Sequence, residues 1–546
     1  MLNNTGVEGK METTVDKNAE TNKQMATQLS RNVIVNIFFF GLNMFISMWI
    51  VPYYVANLGK DAYSYIGLIT SLTAWVAIII VSLNTAISRY LTMDLQKGDY
   101  QAANKTFNTA VIGLSALILI MSPILLTIGL NITHIVNILP DVSGGEVIWL
   151  VLGVFAASMI NMSSGNFTVQ LFALNRLDLQ VIVNSTLYLS QNGLVILFFH
   201  LYHPSLIYIG MAYPIGAIIT AITSITLARR VCPYLKLSIS SFDFTQLRTL
   251  FNMSSWTIVN QLGALLFTSI DMYVINRVST EVAGPYTTVL QLATLLKTMA
   301  ALISGMLTPI VYTYYAKKQT ETLVKMAVSA VKLMGIFIAL PIGLLCGLST
   351  QVLTIWLTMN GKIDFVPGEY NWLLVLMAFH LAINLSVLPL FAINVAYNRV
   401  KTPGIVTLIM GIGNFTLAFA LPLLIIHGLN KPNIAFYGVA GAGAIVLTLK
   451  NTIFTPWYTG KIMGIKPTVF LKSMITGVTC TALVTLISFA AGQIVTITSF
   501  ATLIPIGGAI GLIYILLAWK FALSPFERAQ FKTTMPRPVW AVLERI

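Results

Sequence analysis

The chain is a succession of apolar runs of about 20 residues, the length a helix needs to cross roughly 30 Å of hydrocarbon at 1.5 Å per residue. They predict fourteen helical spans. Six cover 32–56, 66–89, 107–130, 147–170, 182–200 and 207–227. Beyond a polar connection at 228–253, six more cover 254–277, 287–313, 326–346, 372–397, 405–427 and 436–459. Two further spans, at 470–490 and 499–520, complete the series.

The pattern states one half twice. Trp149, Asn161 and Asn175-Arg176 are answered at one fixed spacing by Trp372, Asn384 and Asn398-Arg399. Pro123-Ile124 and Gly129-Leu130 recur as Pro341-Ile342 and Gly347-Leu348, and Tyr65 and Lys97 as Tyr286 and Lys318, at spacings a few residues shorter. Such drift suits a duplication followed by small insertions. The expectation is an all-α polytopic membrane protein of two pseudo-symmetric six-helix lobes, an N-lobe at 32–227 and a C-lobe at 254–459, joined by a cytoplasmic linker at 228–253, with two added helices within 470–520. Repeated halves of this kind commonly hold a substrate site between them. Residues 1–31, polar and mixed in charge, are expected to be a disordered cytoplasmic tail. The last stretch, 521–546, carries Phe526, Arg528, Phe531, Lys532, Arg537 and Trp540 and suits either the inner leaflet surface or water.

Composition agrees with the class. Charged residues make up 9% of the chain and apolar ones 56%, with a mean hydropathy of +0.81, against about 25% charged in soluble domains. The net charge of +14 reads as a topology signal, because cytoplasmic loops retain Lys and Arg during insertion. With the N-terminus inside, only Lys60, Arg277, Lys362 and Lys431 fall outside, and Lys297 falls within a span. A missed or invented helix would scramble that asymmetry. It predicts a cytoplasmic (inner) membrane protein with both termini in the cytoplasm, and it leaves no reason to invoke nucleic acid.

Several chemistries lack their residues. No G-x-x-x-x-G-K-[ST] loop is present for nucleotide hydrolysis. Cys232, Cys346 and Cys480 are spaced for neither a disulfide framework nor a zinc site. His134, His200, His203, His380 and His427 show no metal-ligand spacing, and His380, inside a span, reads as a hydrogen-bonded packing residue. The outer loops, the longest from Gly347 to Asn371, leave little room for a catalytic domain. The sequence therefore predicts no enzyme, no metal and no cofactor.

The polar positions inside spans carry the functional reading, because a charge at mid-span costs about 2.5–3.5 kcal/mol on insertion scales. Lys297 shares a helix face with Thr287, Gln291, Thr294, Thr298, Ala301, Gly305 and Thr308. That stripe suits a watered cavity or close packing through small residues. Span seven places Trp256, Asn260, Phe267 and Asp271 on one face; span one does the same with Asn32, Asn36, Asn43 and Ser47. Asp271 has three readings: a pair with Lys297, a pair with Arg277, or a coupling proton carrier. Arg31, Arg89, Lys332 and Lys450 fall at predicted cytoplasmic helix ends, where snorkelling is the usual role. Arg31 and Arg89 stand out, since a guanidinium fork at a cavity mouth suits a diphosphate.

These residues resemble those of the oligosaccharide flippase (polysaccharide transporter) family of the multidrug/oligosaccharidyl-lipid/polysaccharide exporter superfamily. The likeness rests on Pro52, Leu58-Gly59 and Tyr65-Ile66-Gly67, on Arg89-Tyr90 with Lys97-Gly98-Asp99, and on Asp271 with Gly284-Pro285-Tyr286. Lys318-Gln319-Thr320 departs from it by lacking the Gly-Asp of the first half. The resemblance implies two lobes around a V-shaped central cavity lined by helices one, two, seven and eight. It implies transport of a polyprenyl-diphosphate-linked oligosaccharide to the outer leaflet for surface polysaccharide synthesis, by alternating access and in contact with glycan polymerase machinery. The expected cavity residues are Lys297, Arg31, Arg89, Asn36, Asn43, Asn260, Gln291 and Thr294, with Asp271 and Arg277 as coupling or ion-pair residues. A cation-coupled multidrug exporter or a lipid II flippase is the alternative. A membrane glycosyltransferase would need catalytic acids on a large outer loop.

Overall fold

The computed structural model describes residues 5–316, 318–361, 363–525 and 527–528, with side chains from Arg31 on except at 33, 79, 96, 252–254, 256–257, 306, 308–310, 312–313 and 316. Phe526, Phe531, Lys532, Arg537, Trp540 and Lys362 thus lie outside the described residues, as do the side chains of Trp256 and Thr308.

Among the described residues all regular structure is helical. The order is α1 (Thr5–Gln96), α2 (Tyr100–Leu130), α3 (Ile132–Ile135), α4 (Gly144–Ala173), α5 (Leu177–Leu201), α6 (Leu206–Val231) and α7 (Phe244–Leu265). It continues with α8 (Ile270–Val278), α9 (Ala283–Ala316), α10 (Thr320–Gly347), α11 (Ser349–Leu357), α12 (Asn371–Phe379), α13 (Leu381–Asn384) and α14 (Pro389–Ala396). The chain ends with α15 (Lys401–Leu423), α16 (Phe436–Leu449), α17 (Thr455–Met463), α18 (Thr468–Ile494) and α19 (Phe500–Leu517).

Thirteen stretches among the described residues are long and apolar enough to cross a membrane, the first of them Ile34–Leu95 with 62 residues. That first stretch is two helices in sequence, because Gly59 at φ 80 and ψ 164 breaks the helical backbone. Only glycine occupies this region without strain. Dividing α1 there gives the fourteen spans the pattern predicts. The backbone of Thr5–Arg31, expected to be disordered, is helical and continuous with span one. Its residues from Met11 onward include no Gly or Pro and many good helix formers, so nothing local stops the helix.

The described residues form two compact units. The first draws on Met1–Ile50, Ile79–Ile132 and Gly145–Ser255; the second on Val51–Ile78, Thr133–Gly144 and Trp256–Ile546. The junction of spans one and two therefore packs with the second repeat, a division the sequence did not suggest. Its contacts are specific. Lys60 N–H donates to both oxygens of Asp364, at 3.3 and 3.2 Å, so a loop carboxylate caps the helix that starts after Gly59. A Cβ on Gly284 would lie 2.2 Å from the Lys60 carbonyl oxygen, and one on Gly67 would lie 2.4 Å from Thr287 Cγ2. Tyr65, fully buried, donates to Asn137 O at 2.9 Å and accepts from Leu139 N at 2.8 Å. Asn137 and Asn276 exchange three hydrogen bonds of 2.9 to 3.1 Å. Asn276, 1% exposed, thus has both ends of its amide satisfied.

Four helix ends reveal the duplication in conformation. Asn175 (φ 55) and Asn398 (φ 52), paired by the sequence repeat, both take the left-handed cap. In each, the cap N–H bonds three residues back and the next N–H five residues back: Asn175 to Phe172 and Arg176 to Leu171, Asn398 to Val395 and Arg399 to Asn394. Gly98 (φ 73) and Lys318 (φ 55) repeat the geometry, through Gly98 to Leu95, Asp99 to Asp94, Lys318 to Tyr315 and Gln319 to Tyr314. The structure thus sets Lys318-Gln319 against Gly98-Asp99, one residue off the Lys97–Lys318 match read from the sequence, and the second half keeps the turn without the Gly-Asp. Lys318 holds a conformation that costs a residue with a Cβ about 1–2 kcal/mol. Lys318→Gly is expected to raise stability by about 1 kcal/mol, less whatever the freer unfolded chain offsets, and Gly98→Lys to lower it similarly. Thermal unfolding of both variants in one detergent checks the pair; a Lys318→Gly protein that melts below wild type contradicts the strain.

Candidate functional site

Three spans of the second unit are interrupted. The span Ile258–Val278 breaks at residues 266–269 between α7 and α8, and the span Pro367–Ala396 breaks at 385–388, ahead of Pro389, which has no N–H to continue the ladder. The span Phe436–Met463 widens into a π-helical turn at Lys450–Phe454. All three interruptions line one cavity of about 420 Å³: Phe267 and Thr268 from the first, Leu385 and Leu388 from the second, Lys450 and Phe454 from the third. Irregular backbone within spanning helices is tolerated where it is buried in protein or faces a cavity, and such breaks are where transporters build sites.

Side chains stabilise the breaks. Asn414 Nδ2 donates to the freed Leu266 carbonyl at 2.8 Å, and Gly263 and Gly411 let α7 and α15 approach closely enough for it. Asn384 Nδ2 lies 2.7 Å from His380 Nδ1, 2.9 Å from His380 O and 3.1 Å from Thr448 Oγ1. Its Oδ1 accepts from Asn451 Nδ2 at 2.9 Å, and Asn451 Oδ1 accepts from Thr455 Oγ1 at 3.1 Å. This ladder joins α13 to the π-helical turn. His380 thereby has the packing role the sequence assigns to it. Asn161, the repeat counterpart of Asn384, lies in the first unit on α4.

Two lysines enter the cavity. Lys297 comes from the middle of α9, and Lys450 from the middle of the Phe436–Met463 span. Lys450 was expected at a helix end as a snorkelling anchor; the helix instead continues through α17 to Met463, which leaves the ammonium mid-span. Neither lysine has a carboxylate within 4 Å among the described residues. Asp271 interacts with Lys297 electrostatically at longer range, while its Oδ2 accepts from Tyr286 OH at 3.4 Å and its Oδ1 is buried without a partner. Arg277 does not pair with Asp271: it donates to the Ile135 carbonyl and lies over the Tyr273 ring at 5.8 Å. The two residues sit on well-separated faces of α8 at 100° per residue. Around the lysines stand Asn260, Asn394, Thr268 and Thr407, and no Asp or Glu among the described residues lines the space.

Other predicted residues have different surroundings. On α9, Thr294 and Thr298 are exposed and donate to Leu290 O and Thr294 O, Gln291 is half-buried, and none of the three lines the cavity. Arg31, Asn36, Asn43 and Arg89 belong to the first unit. There the span-one stripe packs on α5: Asn43 Nδ2 donates to Ser185 Oγ at 3.0 Å, Ser47 Oγ meets Tyr188 OH at 2.5 Å, and Asn36 donates to Asn32 O. Asn32 holds the α4–α5 turn by bonding Asn175 O and Asp178 N. Arg31 pairs with Asp178 at 3.0 Å, and Arg176 grips the same carboxylate at 3.1 Å. Arg89 lines a separate cleft of about 710 Å³ with Asn84, Ser88, Thr92 and Gln180. Lys332, expected to snorkel, is mid-helix in α10 and pairs with Glu527 at 2.8 Å.

The amides of the cavity separate into two kinds. Asn384 and Asn451 are bonded to each other, whereas Asn260 has no hydrogen-bond partner among the described residues. Asn384→Leu strands the Asn451 amide and is expected to lower stability by about 1–3 kcal/mol. Asn260→Leu is expected to stay within about 0.5 kcal/mol. Equal melting temperatures for the two variants would remove the distinction.

No family model matches the chain. It is 31% identical over 505 residues, covering 91% of its own length and 96% of the relative's, to a Bacillus subtilis (strain 168) protein described as uncharacterized membrane protein EpsK. Among solved structures it is similar to the lipid II flippase MurJ in an inward closed conformation, with a TM-score of 0.60 and 15% identity over 90% of this chain and 98% of that one. It is also similar to an inward-facing multidrug resistance MATE family transporter of the MOP superfamily (TM-score 0.57, 13% identity, 79% of this chain and 98% of that one). The eukaryotic MATE transporter AtDTX14 gives a TM-score of 0.56 at 12% identity, over 84% of this chain and 99% of that one. At these identities the structures establish the fold. The chain belongs to the family of EpsK, as a multi-pass membrane protein with the fold of MOP-superfamily transporters.

Proposed function

We propose that the protein carries a polyprenyl-diphosphate-linked oligosaccharide from the cytoplasmic to the outer leaflet by alternating access. The observation that carries this reading is the charge of the cavity: two lysines beside a few amides and hydroxyls on a largely apolar wall, with no acid among the described residues that line it. Sugars need hydrogen-bonding walls, a diphosphate needs cations, and a polyprenyl tail needs neither and stays in lipid. The fold is that of a lipid II flippase and of multidrug transporters. An exporter of cationic drugs would be served by acids on the cavity wall, and the lysines there disfavour it. An interior-negative potential also favours outward movement of an anion: about two charges crossing 100 mV gain roughly 4–5 kcal/mol if no lysine moves with them.

Deleting the gene is expected to leave lipid-linked oligosaccharide on the cytoplasmic face, and the wild-type gene to restore its export. Unchanged glycan export with new sensitivity to cationic drugs would transfer the reading to the multidrug exporter. Lys297→Ala is expected to lower export at least about tenfold while the amount of protein in the membrane stays constant. Wild-type export by that variant would reduce Lys297 to scaffolding.

A further inference from the structure

We propose that Lys450, on the π-helical turn, and Lys297, on α9, form one phosphoryl-binding subsite wholly within the second unit, where they hold the diphosphate of a lipid-borne substrate. This rests on the transport reading above and names the residues that recognise its anion.

The geometry is that of a built site. Both ammoniums line the same cavity of about 420 Å³, a size in the range of small-molecule sites. Among the described residues Lys450 has no carboxylate within ion-pairing distance, and Lys297 is compensated by Asp271 at longer range. The unit contains a contrasting lysine: Lys332, also mid-helix, has Glu527 at 2.8 Å. A lysine kept for scaffolding is thus given its counter-ion here, and the cavity lysines are not. The adjoining π-helical turn is fixed from behind, because Asn451 is bonded to Asn384 and Thr455 to Asn451. Lys450 is therefore carried on a rigid element while its own ammonium stays available. Asn260, and the Asn394 amide nitrogen, add donors with no hydrogen-bond partner among the described residues, beside apolar Phe267, Phe391 and Phe454 that exclude water and strengthen charge–charge attraction.

The test is binding of farnesyl diphosphate to the full chain in zwitterionic nanodiscs, by titration calorimetry, with farnesol and inorganic pyrophosphate as companions. Farnesyl diphosphate is expected to bind and farnesol to bind at least about tenfold more weakly. Lys450→Gln is expected to weaken farnesyl diphosphate about tenfold, Lys450→Arg to keep it within about threefold, and added salt to weaken wild type more than Lys450→Gln. Pyrophosphate competing as well as the lipid diphosphate, with the same dependence on Lys450, keeps the subsite and assigns it to free phosphates. Equal binding of farnesol, or of farnesyl diphosphate to Lys450→Gln at wild-type melting temperature, overturns the subsite. A Lys450→Gln protein that unfolds while Lys450→Arg binds normally still supports the charge requirement; loss of binding in a folded Lys450→Arg protein contradicts it. Normal glycan export in the deletion strain, with intact Lys450-dependent binding, removes the transport reading and leaves the subsite; the reverse result removes the subsite alone.

Discussion

Backbone that leaves the helical ladder inside a spanning segment must find new partners, because lipid supplies none. That requirement organises the second unit. Interruptions at 266–269, 385–388 and 450–454 lie around one cavity. Asn414 bonds the freed Leu266 carbonyl at the first, and the Asn384–Asn451–Thr455 side chains tie α13 to the π-helical turn beside the other two. Asn384, Asn451 and Thr455 also line the cavity, so part of the polarity on its largely apolar wall belongs to the scaffold before any ligand is considered.

The same residue types do different work a short distance away. In the first unit, Asn32, Asn43 and Ser47 form an equally regular polar stripe and are used between α1 and α5, with Asp178 collecting Arg31 and Arg176. The stripe on α9 is divided: Thr287 packs beside Gly67, Thr294 and Thr298 bond their own helix, and among its described polar side chains Lys297 lines the cavity, with Ala301. Helical periodicity places residues on one face. Which face a neighbour covers depends on packing that the period does not encode.

That distinction sets how much was legible in the chain. Fourteen spans follow from hydropathy, since the 62-residue first stretch divides at Gly59. The repeat is legible through Asn175 and Asn398 because both need a residue tolerant of positive φ, and asparagine is one. At Gly98 and Lys318 the turn persists while the residue changes, so the identity match of Lys97 with Lys318 set the register one residue off. Lys297 and Asn260 were legible as polar residues interrupting apolar runs. Lys450 was expected as a helix-end anchor although the predicted span 436–459 already ran well past it; the structure extends that helix to Met463 and places Lys450 at its middle. Asn394 and Asn451 went unnoticed for another reason: their significance arises only when α14 and the π-helical turn meet across the cavity.

Energetics then separate scaffold from site. Two mid-span lysines cost about 5–7 kcal/mol on insertion scales, an amount comparable to the whole stability of many domains. Lys332 shows the structural remedy, a buried partner at 2.8 Å with Glu527 only 4% exposed. Among the described residues no such remedy reaches Lys450, and Asp271 offers Lys297 only a distant one. Hydrophobic residues at both positions would remove the charge penalty, as they do at most sites on these helices. Retaining two ammoniums at this cost is accounted for by the proposed anion, which supplies the opposite charge while it is bound.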